Sequence, residues 1–343
     1  MKEKNNECVK EYRGLRMTLL VIRRFFLFVL TFLLLCAGGM FAAAAMVCNG
    51  PSDAAKNILV MSCLETSALK FVPGLFFSSD EIADITAVNT VSAAVSDSSP
   101  KPIEINVPDA DTDKPSENIE LIDITGPTYK GKMLIVHDPS RVFVGSCDSY
   151  VQGGYGKKLA AFVEDNNAIA GVNAGGFADE NGVGKGGEPI GIVISQGTLK
   201  WGSIDSVYGL IGFDNDNRFV IGQMSGKNAL ERGIRDAVTF GPFLIVNGEP
   251  ANVLGTGGGL NPRTAIGQRE DGAVLILVVD GRQPGSLGAN YSDLVTIMSE
   301  YGAVNAANLD GGSSSQMIYN GESVTNCCSF YGARYLPTSI LVR

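Results

Sequence analysis

The sequence predicts an α+β protein: a mixed, strand-rich domain with a few inserted helices, preceded by an N-terminal transmembrane helix and a linker. Three observations carry this prediction. From residue 118 onward the chain is a series of short apolar runs separated by Gly, Asn and Asp, among them "KMLIVHD", "GPFLIVNGEP", "AVLILVVDGR" and "TSILVR". Such punctuation marks strands and hairpins. Two segments break the series with helical spacing. "GKKLAAFVEDNN" places Leu159, Phe162 and Val163 on one face, and "YSDLVTIMSEYG" spaces Leu294, Met298 and Tyr301 between an expected N-cap at Ser292 and a stop at Gly302. Helices scattered among strands favour a layered α+β domain over regular β-α alternation. Finally, Phe25 to Val47 is an uncharged run of 23 residues, long enough to span a bilayer as a helix.

The segments follow in order. Residues 1–24 carry seven Lys or Arg against three acids and read as a basic cytoplasmic leader. The run 25–47 reads as a signal anchor that leaves the remaining chain outside the cytoplasm. A cleaved signal peptide is the competing reading, because Ala42 to Ala45 offer small-residue cleavage positions. Residues 48–84 are expected to form a juxtamembrane helical segment. Residues 85–117 hold four prolines and no aromatic residue, too little apolar surface to offset ordering entropy, and are expected to be a flexible linker. Residues 118–343 then form one domain of ordinary size.

Charge and composition narrow the function. A formal net charge of −9 argues against a sequence-independent grip on nucleic acid. The single histidine, His137, excludes multi-His metal sites and leaves one imidazole base. The seven cysteines fit no metal-binding spacing; Cys147 could bridge to Cys327 or Cys328, or all could be unpaired small hydrophobes. No cofactor is required by any pattern, although Asp310 and its neighbouring hydroxyls could hold a hard cation such as Ca²⁺.

Four glycine-flanked polar clusters each follow an apolar strand. They are "AGVNAGGFADENG" with Asn173, Gly175, Gly176 and Phe177; "NPRTAIG" with Arg263 and Thr264; "LVVDGRQPG" with Asp280 and Arg282; and "NLDGGSSSQM" with Asn308, Asp310, Gly311, Gly312, Ser313 and Ser314. Singly each is an ordinary turn. Together they supply main-chain N–H groups and hydroxyls for an anion, a guanidinium fork for phosphate, and carboxylates for sugar hydroxyls or acid/base work. These are the groups a sugar-phosphate ligand asks for. Neither a Walker A loop nor a dinucleotide fingerprint is present, and "GTGGGL" (255–260) reads as a flexible loop.

The ordered set Asn173 to Phe177, Arg263 to Gly267, Asp280 to Arg282 and Asn308 to Ser313 resembles the phosphodiester glycosidase family. The likeness covers roughly residues 119–343, and "GEPIG" adds Glu188 as a candidate acid. Three positions depart from the family pattern: an extra Ala174, Ala178 in place of a Phe, and Ser313 in place of a third glycine. The resemblance implies hydrolysis of a sugar-1-phosphodiester at the anomeric C–O bond, with Asp310, Asp280 and Glu188 as candidate catalytic carboxylates and the other cluster residues binding substrate. Topology and resemblance together point to a GlcNAc-1-phosphate-like linkage in a bacterial wall, capsule or exopolysaccharide. Two alternatives stand beside it: a non-catalytic surface glycan-binding module, and a Ser-dependent acyl or phosphoryl transferase using Ser313 to Ser315 with His137.

Overall fold

The computed structural model describes residues 2–93, 119–179, 184–329 and 332–343. The chain separates into two units, Met1–Lys56 and Asn57–Arg343. The first is dominated by helix α1 (Lys2–Cys48). Its portion Arg16–Cys48 is long and apolar enough to cross a membrane, and its apolar stretch is unburied.

In the second unit the strand series folds into three principal sheets, two of five strands and one of seven. In spatial order the seven-stranded sheet runs Glu249–Pro250, Phe243–Val246, Ala303–Leu309, Arg263–Arg269, Val274–Val279, Lys130–Val136 and Ile119–Thr125. One five-stranded sheet contains Ala170–Asn173 between Met317–Tyr319 and Thr338–Val342; the other is centred on Ile234–Thr239.

All three sheets turn one face to a common core. Val274, Ile276 and Val278 meet Val172, Ile340 and Val342 of the second sheet and Ile211, Phe213 and Val238 of the third. The opposite faces are each covered by one helix. Leu275, Leu277 and Val279 pack under Leu294, Ile297 and Met298 of α6 (Tyr291–Glu300). Phe143 and Leu341 pack under Leu159, Phe162 and Val163 of α4 (Leu159–Asp165). Ile194 and Leu210 pack near Ala229 of α5 (Gly226–Glu231). Because side chains alternate across a strand, a strand buried on both faces must be apolar throughout. That explains the unbroken run "VLILVV", buried at every position.

Several boundaries differ from expectation. Helix α6 is capped by Asn290 rather than Ser292: the Asn290 side chain accepts from Asp293 N, and Asp293 accepts from Asn290 N, both at 2.9 Å. A reciprocal box of this kind satisfies two orphan amides where a lone serine would satisfy one. Order also continues past the expected linker start. Ile85 is buried within α3 (Ser79–Ala87), and Val91–Ser92 pairs antiparallel with Asn252–Val253. Residues 94–117, the rest of the expected linker, lie outside the described residues.

The 255–260 loop is not slack either. Leu260 N donates to Ser62 Oγ at 2.9 Å, and a Cβ on Gly259 would stand 2.1 Å from Ser62 N. Only glycine permits helix α2 (Asp53–Leu64) to approach so closely. The part of the expected juxtamembrane helical segment that follows residue 57 therefore packs into the second unit, burying Val60, Met61 and Cys63.

Candidate active site

Antiparallel register gathers the predicted clusters at one end of the sheets. Thr264 opposes Leu309 and Arg263 opposes Val279, so the start of one strand lies beside the ends of its two neighbours. Asn173 ends the adjoining strand of the second sheet, opposite Ser339.

Asn173 is the joint between these elements. It is wholly buried; its amide donates to Asp310 O at 2.5 Å, and its carbonyl accepts from Thr264 Oγ1 at 2.9 Å and from Gln316 N at 3.1 Å. Thr264 also reaches Ser315 Oγ at 3.3 Å. Asn173 and Thr264 are thus committed to scaffolding. The extra residue Ala174 contributes its carbonyl, which accepts from Asp310 N at 2.9 Å.

Asp310 heads the turn. Gly311 N donates to its Oδ1 at 2.9 Å, and the Ser314 hydroxyl also hydrogen-bonds to its carboxylate. Burial pushes the Asp310 carboxyl up to about 6; Ser314, Gly311 and the charge of Arg334 partly offset this, while Asp179 adds to it. A carboxylate raised into this range is ionised near neutrality yet basic enough to take a proton.

The expected backbone cradle is largely spent internally. Gly311 N serves Asp310, Gly312 N donates to Pro262 O at 2.8 Å, and Ser314 N donates to Gly311 O at 3.1 Å. Gly175 N is bound to Thr338 Oγ1 at 3.0 Å and Gly176 N to Thr239 O at 3.3 Å. Among the described residues, Ser313 N is the amide of the 311–314 turn left without a partner. Gly312, at φ +60°, is required by the turn, and its α-carbon faces the Arg282 guanidinium.

The two arginines differ. Arg282 is exposed, steadied by Asn261 Oδ1, which accepts from Nε at 3.1 Å and from Nη2 at 2.8 Å. Arg263 is buried and occupied: Nε donates to Ala289 O at 3.1 Å, and Nη2 to Gly259 O at 2.8 Å and to Glu65 Oε2 at 2.7 Å. Its guanidinium also lies 4.1 Å from the Tyr291 ring centroid. Glu65 accepts a further hydrogen bond from Asn261 Nδ2 at 2.6 Å.

Asp280 is tied up as well, accepting from Asn326 N and Nδ2, both at 2.9 Å. Glu188 is linked to the cluster through its backbone, its carbonyl accepting from Ala178 N at 2.9 Å. Among the described residues its half-buried carboxylate has no partner. Asn308 Nδ2 donates to Gly241 O at 2.8 Å, whereas its buried Oδ1 lacks a partner among the described residues.

Sequence reasoning missed Arg334 and Asp179. Arg334 forks onto Asp179 (Nη1 to Oδ2 at 2.7 Å, Nη2 to Oδ1 at 2.9 Å), reaches Ser313 Oγ at 3.2 Å, and covers the Phe177 ring at 4.9 Å. Burial alone would raise the Asp179 carboxyl, but the Arg334 hydrogen bonds and the Gly184 amide bring it below its ordinary value. Asp179 stood inside the first polar cluster. Arg334, in "YGARYLP", carried no local signal.

His137 stands apart. It follows Lys130–Val136, a seven-residue strand of roughly 20 Å, whose other end meets Asp280 through Lys130 O. There His137 bonds Glu120 at 2.6 Å, leaving the serines without an imidazole base. Among the described residues no group of three His, Cys, Asp or Glu side chains gathers as a metal site, and no disulfide forms; the Cys147 thiol faces Pro337 O and the Cys327 thiol faces Ser313 O.

The phosphodiester glycosidase family profile matches residues 166–343, half of the chain. The chain belongs to this family. It is 28% identical over 199 residues to the SPbeta prophage-derived uncharacterized protein YomE of Bacillus subtilis (strain 168), covering 55% of this chain and 29% of that protein. It is 28% identical over 218 residues to N-acetylglucosamine-1-phosphodiester α-N-acetylglucosaminidase of Mus musculus, covering 57% of this chain and 41% of that protein. The chain therefore spans less than half the length of either relative. Its fold resembles the zebrafish N-acetylglucosamine-1-phosphodiester α-N-acetylglucosaminidase catalytic domain, a structure described as auto-inhibited by pro-peptide. The TM-score is 0.51 at 22% identity, with 66% of this chain and 82% of that chain covered.

Proposed function

We propose that the chain hydrolyses a sugar-1-phosphodiester, of the GlcNAc-1-phosphate type, within an anionic surface polymer such as a bacterial wall, capsule or exopolysaccharide glycan. In this reading α1 anchors the enzyme in the membrane and the catalytic unit works outside the cytoplasm. The observation that carries the reading is Asp310, a carboxylate of raised pKa that heads the turn carrying Ser313 N, a turn whose Gly312 faces the exposed Arg282. Arg282 and Ser313 N bind the phosphate. Asp310 takes a proton from water as its oxygen attacks the anomeric carbon. The C–O bond to phosphate breaks, and the phosphomonoester departs with the bonding pair. Phosphate is a good leaving group, so one base suffices. Glu188 and Asp280 contact the sugar or position the surrounding loops.

A second feature bears on regulation. The Glu65 carboxylate sits on Arg263 and Asn261, where a substrate anion would otherwise bind, and the zebrafish relative is described as auto-inhibited by pro-peptide. In this chain the segment from residue 57 to residue 93 plays the same restraining part, with Glu65 standing in for the phosphodiester.

The test is to incubate the full chain in detergent with a panel of sugar-1-phosphodiesters in ¹⁸O-labelled water. Label on the sugar C1 hydroxyl is the expected result. Label in the phosphate means P–O cleavage and sinks the assignment; binding without release of product selects a glycan-binding module instead.

A further inference from the structure

Tyr155 and Tyr335 are the exposed aromatic residues among the described residues from Ile119 onward, at 63% and 38% of their full surface. Their rings meet edge to face, with centroids 5.2 Å apart at 73°. Lys158 Nζ stands 4.0 Å from the Tyr335 centroid and Lys185 Nζ 5.0 Å from that of Tyr155. This is a built surface. Tyr335 pairs with Lys158 in a short ladder, Tyr155 bridges to Gly186, and Gly156 N donates to Lys185 O at 2.7 Å. A Cβ on Gly156 would stand 2.1 Å from Leu336 O, so the three segments layer only because that position is bare.

The charges on this surface are left open. Lys157 is neutralised by Asp165 at 2.8 Å and Asp148 at 3.4 Å. Among the described residues neither Lys158 nor Lys185 has a carboxylate partner; Lys158 donates to Ala333 O. Two ammonium groups without a carboxylate among the described residues, each resting on one of two touching rings, complement an anion in a chain of net charge −9. The surface is one residue along the chain from the candidate site, because Tyr335 follows Arg334, whose guanidinium touches Ser313.

We propose that Tyr155, Tyr335, Lys158 and Lys185 form a second glycan subsite that binds the neighbouring sugar-phosphate repeat of an anionic polymer. The apolar face of a sugar ring rests on the exposed Tyr155 body, and the ammonium groups of Lys158 and Lys185 attract the next phosphate. Lysine suits this role as a point charge that does not demand the fixed fork geometry of arginine. The proposal rests on the hydrolase reading for the identity of the polymer, and it adds that the natural substrate is a chain of repeats.

The experiment compares the full chain in detergent with its Tyr155→Ala and Lys185→Ala variants, after matching melting temperatures confirm folding. Two probes are used: a tetramer of GlcNAc joined by 1-phosphodiester links, and a single aryl GlcNAc-1-phosphodiester. Each variant is expected to raise KM for the tetramer about tenfold while leaving kcat/KM for the aryl compound within about twofold, a discrimination of roughly 1.4 kcal/mol. The Lys185 effect should shrink as salt is raised. Equal losses on both probes, or no loss on the tetramer, overturn the subsite. Equilibrium binding of the tetramer, with neutral chitotetraose as control, decides the matter even if neither probe is cleaved: the hydrolase reading then fails, while weaker tetramer binding by the variants upholds the subsite and unchanged binding removes it.

Discussion

Asp310→Asn is expected to lower kcat on an aryl GlcNAc-1-phosphodiester by about 10²–10⁴-fold, the usual worth of a general base. The pH profile of the unaltered protein should carry the same signature. Activity falls as pH drops through about 6, where burial has placed the Asp310 carboxyl. Its neighbours supply two opposed controls. Arg334→Gln leaves the Asp179 charge beside Asp310 and should move the acid limb to higher pH; Asp179→Asn leaves Arg334 uncompensated and should move it lower. A purely structural pair would reduce kcat in both variants without opposite displacements.

Stability should change in the contrary sense to activity. The folded-state value of about 6 lies above the ordinary 3.8, so the folded protein holds this proton more tightly than the unfolded chain does. The favourable contribution is complete below the unfolded value and is lost as pH rises through the folded one. Asparagine has no such loss. Asp310→Asn should therefore melt higher than the parent at pH of about 7–8, and the gap should close below pH of about 4. An inactive variant that is also less stable at neutral pH would indicate a collapsed turn and remove Asp310 from the base role.

Glu65→Gln is expected to lower KM for the same substrate by about tenfold or more while also lowering the melting temperature. A tethered carboxylate competes with a free substrate anion at an effective concentration on the order of millimolar, so removing its charge frees Arg263. The same change leaves a buried guanidinium short of its counter-ion, and that costs stability. The two readouts moving in opposite directions identify restraint. If KM rises together with the loss of stability, the Glu65–Arg263 pair is structural and Arg282 alone receives the phosphate.

Local pattern identified much of this molecule. The short apolar runs punctuated by Gly, Asn and Asp, the helix spacing of α4 and α6, and the glycine-flanked strand ends are consequences of neighbours along the chain, so the fold class and the polar clusters at strand ends were readable. The cap of α6 was misplaced by two residues because Ser292 and Asn290 are both competent caps and only the reciprocal bond to Asp293 selects between them. What could not be read depends on partners distant in sequence. Glu65 meets Arg263 across 198 positions and Arg334 meets Asp179 across 155; neither residue has a local pattern that marks it. For the same reason the backbone amides of the 311–314 turn looked free for an anion, whereas Pro262 and Asp310 claim two of them. Composition also overstated the linker, since its first residues pack through Ile85 and through the ladder between Val91–Ser92 and Asn252–Val253.

The three hydrogen bonds of Asn173 have a consequence for the time course of motion. They tie the seven-stranded sheet, through Thr264, to Gln316 at the entry of the strand Met317–Tyr319 and to the main chain of Asp310. No element can swing outward alone without stripping a buried amide of its partners. The turn that begins at Asp310 should therefore lack the private opening events common to surface loops. In hydrogen–deuterium exchange, the amides of Asp310 and Gln316 should exchange only through global unfolding, as slowly as those of the central strand Val274–Val279. Fast exchange at either would show that the joint gives way locally.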